Sequence, residues 1–322
     1  MSEIIQTLEQ DLCLEERFRV RRSPEVKRAF YAYVSAFLNE RGWQGRTDGD
    51  FKKTGNLIFG DERKAKVILG AHFDTPKTGY TAPNFFITNN RGYAADWVIG
   101  AGILTTVFGG ATVAYKAAKH FGKKGAPWAA GWLGLMAAYT WASFTVDNKF
   151  NFNDNTSGCI ALLTIADAIA KEHPELRDDI AIVFFDKEES GLIGSKKFNQ
   201  TLQGSLSQEE LSKKLLLNFD CVGGRDPVFR LYSRPGKGIE IAKQIRRHSD
   251  REDFVIHETN HFPSDSSSFK SFPAISFISV KKHKWPGFEK LGDTHSNKDN
   301  YLNVDMIQEY ADLAVRFLGN YL

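Results

Sequence analysis

The stretch that decides the fold lies near the middle of the chain and reads Phe184-Phe185-Asp186-Lys187-Glu188-Glu189-Ser190-Gly191. The apolar run Ile180–Phe185, which leads into it, predicts a buried β-strand. Two adjacent carboxylates follow the end of that strand, before a Ser-Gly break. Open α/β sheets bind their ligands at the carboxyl ends of their strands, so the pair is a candidate for a functional cleft. If the pair stood alone, a solvated loop would be its more frequent explanation.

The composition limits the class of protein and its partners. The chain has 322 residues, which suffice for one large α/β domain or two small ones. The formal net charge is +3, and its basic residues are scattered among acidic ones, which does not indicate a nucleic-acid surface. The three cysteines have neither a disulfide framework nor metal-ligand spacing, which favours a reducing compartment. Residues 1–22 lack the apolar core of a signal peptide, so we expect the folded domain to be cytoplasmic, with a processed precursor left open.

Apolar runs alternate with amphipathic segments through most of the chain. Further strands are predicted at residues 55–60, 65–70, 215–219, 228–232, 254–257 and 274–280, the last being the final strand. Helices are predicted at residues 24–41, 159–171, 237–248 and 305–322. This alternation predicts an α/β fold with a mixed, mainly parallel central sheet sandwiched by helices.

Two uncharged apolar segments interrupt this pattern, at residues 97–115 and 127–146. Each has about 20 residues, the length that crosses a bilayer. Glycines in both would let two helices pack closely. We therefore expect an inserted helical hairpin within residues 91–149 that contacts membrane lipid through 97–146, with a lid or an oligomer contact as alternatives. Residues 1–90 and 150–322 would then form the other domain.

The linker between the two segments, residues 116–124, carries four lysines. By the positive-inside tendency this linker would prefer the cytoplasm, which conflicts with a membrane-associated protein whose folded domain is cytoplasmic. A hairpin that dips into one leaflet, with its lysines near the headgroups, would weaken that conflict. A soluble cytoplasmic protein is the alternative.

Seven polar side chains follow the ends of predicted strands or begin predicted helices: His72, Asp74, Asp154, Glu188, Glu189, Asp220 and His295. In an open α/β sheet such positions converge on one edge. Each residue alone could be a helix cap or a solvent-facing loop residue. Together, imidazoles and carboxylates suit Zn²⁺, and five ligands with one shared carboxylate would hold two ions about 3.5–4 Å apart.

Five motifs in this order resemble those of one known family: residues 72–74, 153–158, 186–195, 218–220 and 293–296. The sequence resembles the co-catalytic dizinc aminopeptidases, a family that includes glutamate carboxypeptidase and the glutaminyl cyclases. The resemblance covers the chain except the inserted segment. Another departure is Ser266, which stands where the family often has a histidine.

The resemblance implies a role for each of the seven residues. It implies two zinc ions, or cobalt or manganese, on the ligands His72, Asp154, Glu189, Asp220 and His295. Asp154 would bridge the ions, with His72 and Asp220 on one of them and Glu189 and His295 on the other. Glu188 would be the general base, and Asp74 would accept the second imidazole proton of His72. A non-proline cis peptide often follows the bridging aspartate, so we expect one at Asp154–Asn155.

The implied activity is hydrolysis of peptide bonds at chain ends, foremost as an aminopeptidase acting on a peptide substrate. A single-zinc acyltransferase similar to the glutaminyl cyclases is an alternative, although His72 fills a ligand position that this relative typically lacks. A non-catalytic, membrane-anchored binding module of the same fold is a further alternative, although every ligand position is filled.

Overall fold

A ten-stranded sheet organises the described part of the chain. The computed structural model describes residues 3–76, 85–87, 105–145, 148–225, 228–260, 262, 264–282, 288–291 and 293–322. Its strands are β1 (Gly45–Thr47), β2 (Leu57–Phe59), β3 (Val67–His72), β4 (Phe85–Ile87), β5 (Ile180–Phe185), β6 (Leu215–Phe219), β7 (Val228–Ser233), β8 (Val255–Glu258), β9 (Ala274–Lys282) and β10 (Phe288–Lys290). Their order is β1-β2-β5-β3-β6-β9-β10-β4, and β7 pairs with both β8 and β9.

The centre of the sheet is parallel and its flanks are antiparallel. β5, β3, β6 and β9 run parallel to one another, whereas β2 lies antiparallel to β5, and β7 antiparallel to β9. In the register of the central strands, His72 at the end of β3 lies opposite Phe185 at the end of β5. The predicted fold class, a mixed and mainly parallel sheet, is therefore confirmed. The carboxyl ends of β3, β5 and β6 form one edge of the sheet, which we call the rim.

Helices cover both faces of the sheet. The described helices are α1 (Glu3–Glu9), α2 (Pro24–Asn39), α3 (Gly110–His120), α4 (Gly125–Thr145), α5 (Gly158–Glu172), α6 (Ile193–Ser205), α7 (Gln208–Ser212), α8 (Lys237–Arg247) and α9 (Val304–Tyr321). Of these, α3 and α4 pack mainly on each other rather than on the sheet. Along β5 the side chains alternate between two cores. Ile182 and Phe184 join the larger core with α1, α2, α5 and α9, and Val183 and Phe185 join the smaller core with α6 and α7. Burial on both faces explains why β5 is an unbroken apolar run.

The helix α2 illustrates how local sequence sets the boundaries. The Ser23 hydroxyl accepts a hydrogen bond from the backbone N–H of Val26, and Pro24 occupies the first turn, where its missing N–H costs nothing. Gly42 has a φ of 86°, which ends the helical path beyond residue 41.

The structure also has elements that the sequence analysis does not predict. The prediction that residues 274–280 form the final strand is wrong, because β10 follows β9 and pairs with it antiparallel. The sequence analysis also does not predict the short strands β1 and β4 and the helices α1, α6 and α7. Each of the unpredicted strands has three residues, too few for an alternating apolar pattern to be recognised.

The segment predicted as an insertion, residues 91–149, contains α3 and α4, preceded by a helical turn at Thr105–Gly109. We call residues 105–145 the hairpin; residues 97–104 and 146 of the predicted apolar segments lie outside the described residues. The two helices pack closely, because a Cβ on Gly110 would meet the Trp132 indole at 2.5 Å. Among the helices that the structure describes, none combines the length and apolar character required for crossing a membrane. The predicted transmembrane helix is therefore not supported.

Candidate metal centre

The rim brings the seven predicted side chains into one neighbourhood. β3 ends at His72, β6 is followed by Asp220, and β5 is followed by the glutamate pair. Three sets of side chains each place one nitrogen or oxygen atom per residue within 4.8 Å of the others. The sets are His72, Asp154 and Asp220; His72, Glu188 and Glu189; and Asp154, Glu189 and His295.

Asp154 lies between the two histidines. Its Oδ1 is 3.3 Å from His72 Nε2, and its Oδ2 is 3.0 Å from His295 Nε2. His295 Nε2 is also 3.3 Å from a carboxylate oxygen of Glu189, and His72 Nε2 is 3.7 Å from Asp220 Oδ1. One carboxylate thus presents a different oxygen to each imidazole. The peptide bond Asp154–Asn155 is cis, so that prediction is confirmed.

Buried hydrogen bonds hold the backbone around Asp154. The carboxylate of Asp299 accepts the backbone N–H of Asn153 at 2.8 Å and that of Asp154 at 3.0 Å. The Asn155 side chain donates to the Phe219 carbonyl oxygen and accepts the backbone N–H of Cys221 at 3.1 Å. These contacts tie the segment of Asp154 to the end of β6, which carries Asp220.

The backbone turns sharply where it leaves β5. Lys187 has a φ of 56°, in the left-handed region. The backbone N–H groups of Glu188 and Glu189 then donate to the Asp74 carboxylate at 3.0 and 3.4 Å. Because these bonds fix the backbone of both glutamates, their side chains can enter the same cleft.

The contact between Asp74 and His72 differs from the expected one. His72 Nδ1 lies 3.2 Å from the backbone carbonyl oxygen of Asp74 and 3.7 Å from its carboxylate. The carbonyl is therefore within hydrogen-bonding distance of the imidazole, whereas the carboxylate is used by the backbone of the glutamate pair.

Ser264 and Arg21 also support the rim. The Ser264 hydroxyl donates to Oδ2 of Asp220 at 2.6 Å. The fully buried Arg21 side chain donates to the carbonyl oxygen of Phe73 and, at 3.0 Å, to the hydroxyl of Thr156. Arg21 thus links the segment that follows β3 to the segment that carries Asp154.

A cavity of about 480 Å³ opens at this cluster. Six of the seven predicted side chains line it, all except Asp74. The remaining lining residues are Gly191, Leu192, Lys196, Cys221 and Leu291. This volume is in the range of sites that bind small molecules.

The cluster carries more negative charge than its histidines can compensate. Burial raises the pKa of Glu188 well above its usual range, and burial together with Asp154 raises that of Glu189 to about 7. Burial alone would lower the pKa of His72, but Glu188 and Asp154 outweigh it, and the pKa lies well above its usual range. Since buried like charges are costly, this donor set is one that a divalent cation would stabilise. Its nitrogen and oxygen atoms fit zinc.

Sequence reasoning missed the residues that support this cluster. Asp299 and Ser264 lie in polar loops whose composition resembles a solvated surface, so no local signal identified them. Lys196 and Leu192, which line the cavity, belong to a helix and turn that were not predicted. Asp265 is fully buried, and burial raises its pKa to about 7.

Comparison with known proteins identifies a family whose model matches more than half of this chain. The family model described as Peptidase family M28 matches residues 145–318. A curated relative, the probable leucine aminopeptidase 2 of Arthroderma benhamiae, is 35% identical over 100 residues. That match covers 31% of this chain and 19% of the relative, so the chain spans about a fifth of the relative's length.

Two solved structures have a similar fold over nearly their whole length. A Zn-dependent exopeptidase from Parabacteroides distasonis aligns with a TM-score of 0.62 and 14% identity, covering 98% of this chain and 97% of that one. A glutaminyl cyclase from Bacteroides thetaiotaomicron aligns with a TM-score of 0.61 and 16% identity, covering 99% and 97%. At such identities the likeness concerns the fold alone.

Proposed function

The chain belongs to peptidase family M28, and on that premise we propose that it is a metal-dependent aminopeptidase that releases residues from the amino end of peptides. The observation that carries the proposal is the placement of Asp154, whose two carboxylate oxygens face His72 and His295 separately. A carboxylate shared in this way suits two metal ions held side by side. The aminopeptidase name of the curated relative supports the choice of the amino end.

We propose zinc as the metal and two ions per chain. His72 and Asp220 would hold one ion, Glu189 and His295 the other, and Asp154 would bridge them, because these atoms already lie within 4.8 Å in overlapping sets. When bound, the metal pair supplies Lewis acidity that lowers the pKa of water at the site and polarises the scissile carbonyl.

Glu188 is the proposed general base. Its carboxylate lines the cavity together with the proposed ligands, so it can accept a proton from the attacking water and pass it to the leaving amine. The Asp74 carboxylate would keep Glu188 aimed at the cavity through the backbone N–H groups of both glutamates. The backbone carbonyl of Asp74, 3.2 Å from His72 Nδ1, would hold that imidazole with its other nitrogen turned toward the metal.

The test is hydrolysis by the purified full chain, with metal content measured on the same sample. We expect release of 4-nitroaniline from leucine 4-nitroanilide, loss of activity with a zinc chelator, and recovery when zinc is restored. Two zinc ions per chain would support the bridged site. A zinc-loaded, folded protein that hydrolyses neither this substrate nor leucine-headed peptides would overturn the proposal.

The alternative enzyme is a single-zinc acyltransferase similar to the glutaminyl cyclases, favoured by the fold similarity to one of them. A peptide with an amino-terminal glutamine separates the two functions, because cyclisation releases ammonia whereas hydrolysis releases glutamine. Ammonia release with one zinc ion per chain would establish the alternative. A non-catalytic module would give neither product.

We further propose that the domain works in the cytoplasm and associates with a membrane through residues 97–146. Its three cysteines are buried and free, as suits a reducing compartment. Fractionation of cells that express the full chain, beside a variant lacking residues 97–146, tests this location. Full-length protein found only in the soluble fraction would favour the soluble alternative. If the full chain forms a dimer and the deletion variant is a monomer, an oligomer contact is favoured.

A further inference from the structure

The hairpin differs from the rest of the described chain in what it exposes. Large apolar side chains point outward from it, with Phe121 75% and Trp141 70% exposed. Phe108, Val113, Trp128 and Leu135 are also more than half exposed. Only small residues, Ala111 and Ala118, are buried on the α3 side of the contact with α4.

The helix α4 is apolar around its whole circumference. Its 21 residues contain no charged side chain, and its leucines and tryptophans are not confined to one stripe. It packs on α3 and on the preceding turn, and no other described helix or strand contacts it to a comparable extent. A helix of this kind is stable in water only when another apolar phase covers it.

The charges of the hairpin indicate what that phase is. Residues 105–145 contain four lysines and no aspartate or glutamate. All four lysines, Lys116, Lys119, Lys123 and Lys124, are exposed and cluster toward the turn between the helices. The ammonium of Lys119 lies 5.4 Å from the Tyr115 ring, and that of Lys123 lies 5.3 Å from the Trp128 ring. Lysines beside aromatic rings at the edge of an apolar surface suit the headgroup region of a bilayer.

We propose that the hairpin docks on the surface of an anionic membrane, with α4 lying in the interface and the four lysines of α3 and the turn on acidic headgroups. This inference rests on the membrane association proposed above, and it holds whether or not the rim hydrolyses peptides. A second copy of the chain is the less favoured occupant, because the hairpin offers no acidic side chain to pair with the lysines of another hairpin.

The test uses the purified full chain and two kinds of vesicle, phosphatidylcholine alone and phosphatidylcholine mixed with phosphatidylglycerol. We expect co-sedimentation with the anionic vesicles, weaker binding to the neutral ones, and release as salt screens the lysines. Four of the six tryptophans lie between residues 97 and 141, so their fluorescence should shift to shorter wavelength on binding.

The decisive variant is Lys123→Gln with Lys124→Gln. Each lysine near an anionic surface contributes roughly a factor of five, so partitioning into anionic vesicles should fall about 25-fold. The matched control is Lys52→Gln with Lys53→Gln, which removes the same charge from another exposed pair and should leave partitioning unchanged. A second variant, Trp128→Ser with Trp141→Ser, should weaken binding to both kinds of vesicle.

Three results would overturn the proposal. They are equal binding to neutral and anionic vesicles, an equal loss in the control pair, and a salt-resistant dimer in solution that binds no vesicle. Hydrolysis of leucine 4-nitroanilide without lipid is measured on every variant. It reports on the rim alone, so failure of the peptidase proposal is distinguishable from failure of the docking proposal.

Discussion

The rim buries charged side chains, whereas the hairpin exposes large apolar ones, and both depart from the usual distribution in a folded protein. At the rim, charged groups such as Asp154 and Asp220 are buried, and hydrogen bonds from distant parts of the chain hold them or their backbone. On the hairpin, aromatic side chains such as Phe121 and Trp141 are exposed.

The comparison separates two kinds of candidate site by the size of the group that each suits. Buried carboxylates that surround a cavity suit a small cation, because hydrogen bonds already hold the backbone around them. Large apolar side chains exposed along the hairpin suit an extended apolar surface. We therefore expect substitutions at the rim to reduce activity or stability strongly. Substitutions of exposed hairpin residues should have little effect as long as no partner is present.

The largest effect is expected at the rim, from Glu188→Gln. The amide keeps the shape of the side chain but cannot accept the proton, so turnover should fall by about 10²–10⁴ with the metal content unchanged. Steady-state hydrolysis and metal analysis measure both quantities, with the exposed Glu172→Gln as the matched control. If Glu188→Gln retains full turnover with full metal, Glu188 is not the base.

A matched pair of leucines compares the core behind the rim with the hairpin directly. Leu163→Ala in α5 removes a fully buried side chain and should lower the free energy of unfolding by about 2–5 kcal/mol. Leu135→Ala in α4 removes a side chain that is 59% exposed, and the change should stay within about 0.5 kcal/mol. Both sites are inside helices, so helix propensity is matched.

Urea unfolding of each leucine variant, without lipid, provides the measurement. If the two substitutions cost the same, Leu135 is covered in solution, and the contrast between the two regions fails. Vesicles added to the Leu135→Ala variant then sharpen the comparison, because weaker partitioning would show that this side chain contacts lipid.

A smaller effect is expected from Asp299→Asn. The amide nitrogen would face one of the two backbone N–H donors of Asn153 and Asp154, and that hydrogen bond would be lost. Asp154 would then be held less firmly, and zinc affinity should fall about 10–100-fold. Titration with a competing chelator measures the affinity, and saturating zinc should restore most of the turnover. An unchanged affinity would show that Asp299 has no part in holding the site.

The sequence predicted the rim well because its information is local. His72 and Asp220 directly follow apolar runs, the glutamate pair follows another after two intervening residues, and the motifs of all seven residues appear in the order of a known family. For the residues that follow strands, convergence needed only the rule that parallel strands end at one edge. His295 lies in a polar loop, so its place among them depended on the resemblance. Their roles as ligands, base and acceptor remain predictions.

The supporting contacts could not be predicted, because they join residues far apart in the chain. Asp299 lies 145 residues from Asp154, and Ser264 lies 44 residues from Asp220. The sequence around Asp299 does not indicate that it accepts from the backbone of Asp154, and the sequence around Ser264 does not indicate that it donates to the carboxylate of Asp220. For the hairpin, the apolar composition is evident from the sequence. A length near 20 residues, however, does not establish a membrane span. The division into domains at residues 91–149 remains a prediction.

Arg21 has a consequence for the synthesis of the protein. Its buried guanidinium bonds to the Thr156 hydroxyl, 135 residues further along the chain. Since a ribosome delivers the amino end first, this arginine emerges long before its partner exists. The residues that it contacts include Phe18, whose carbonyl oxygen accepts from its guanidinium, and Phe30, whose ring centroid lies 5.2 Å from it. Both belong to the larger core, which stays incomplete in the nascent chain. Chaperone dependence during translation is therefore expected to last beyond residue 156, because the same core also contains side chains of β5, β6 and α9.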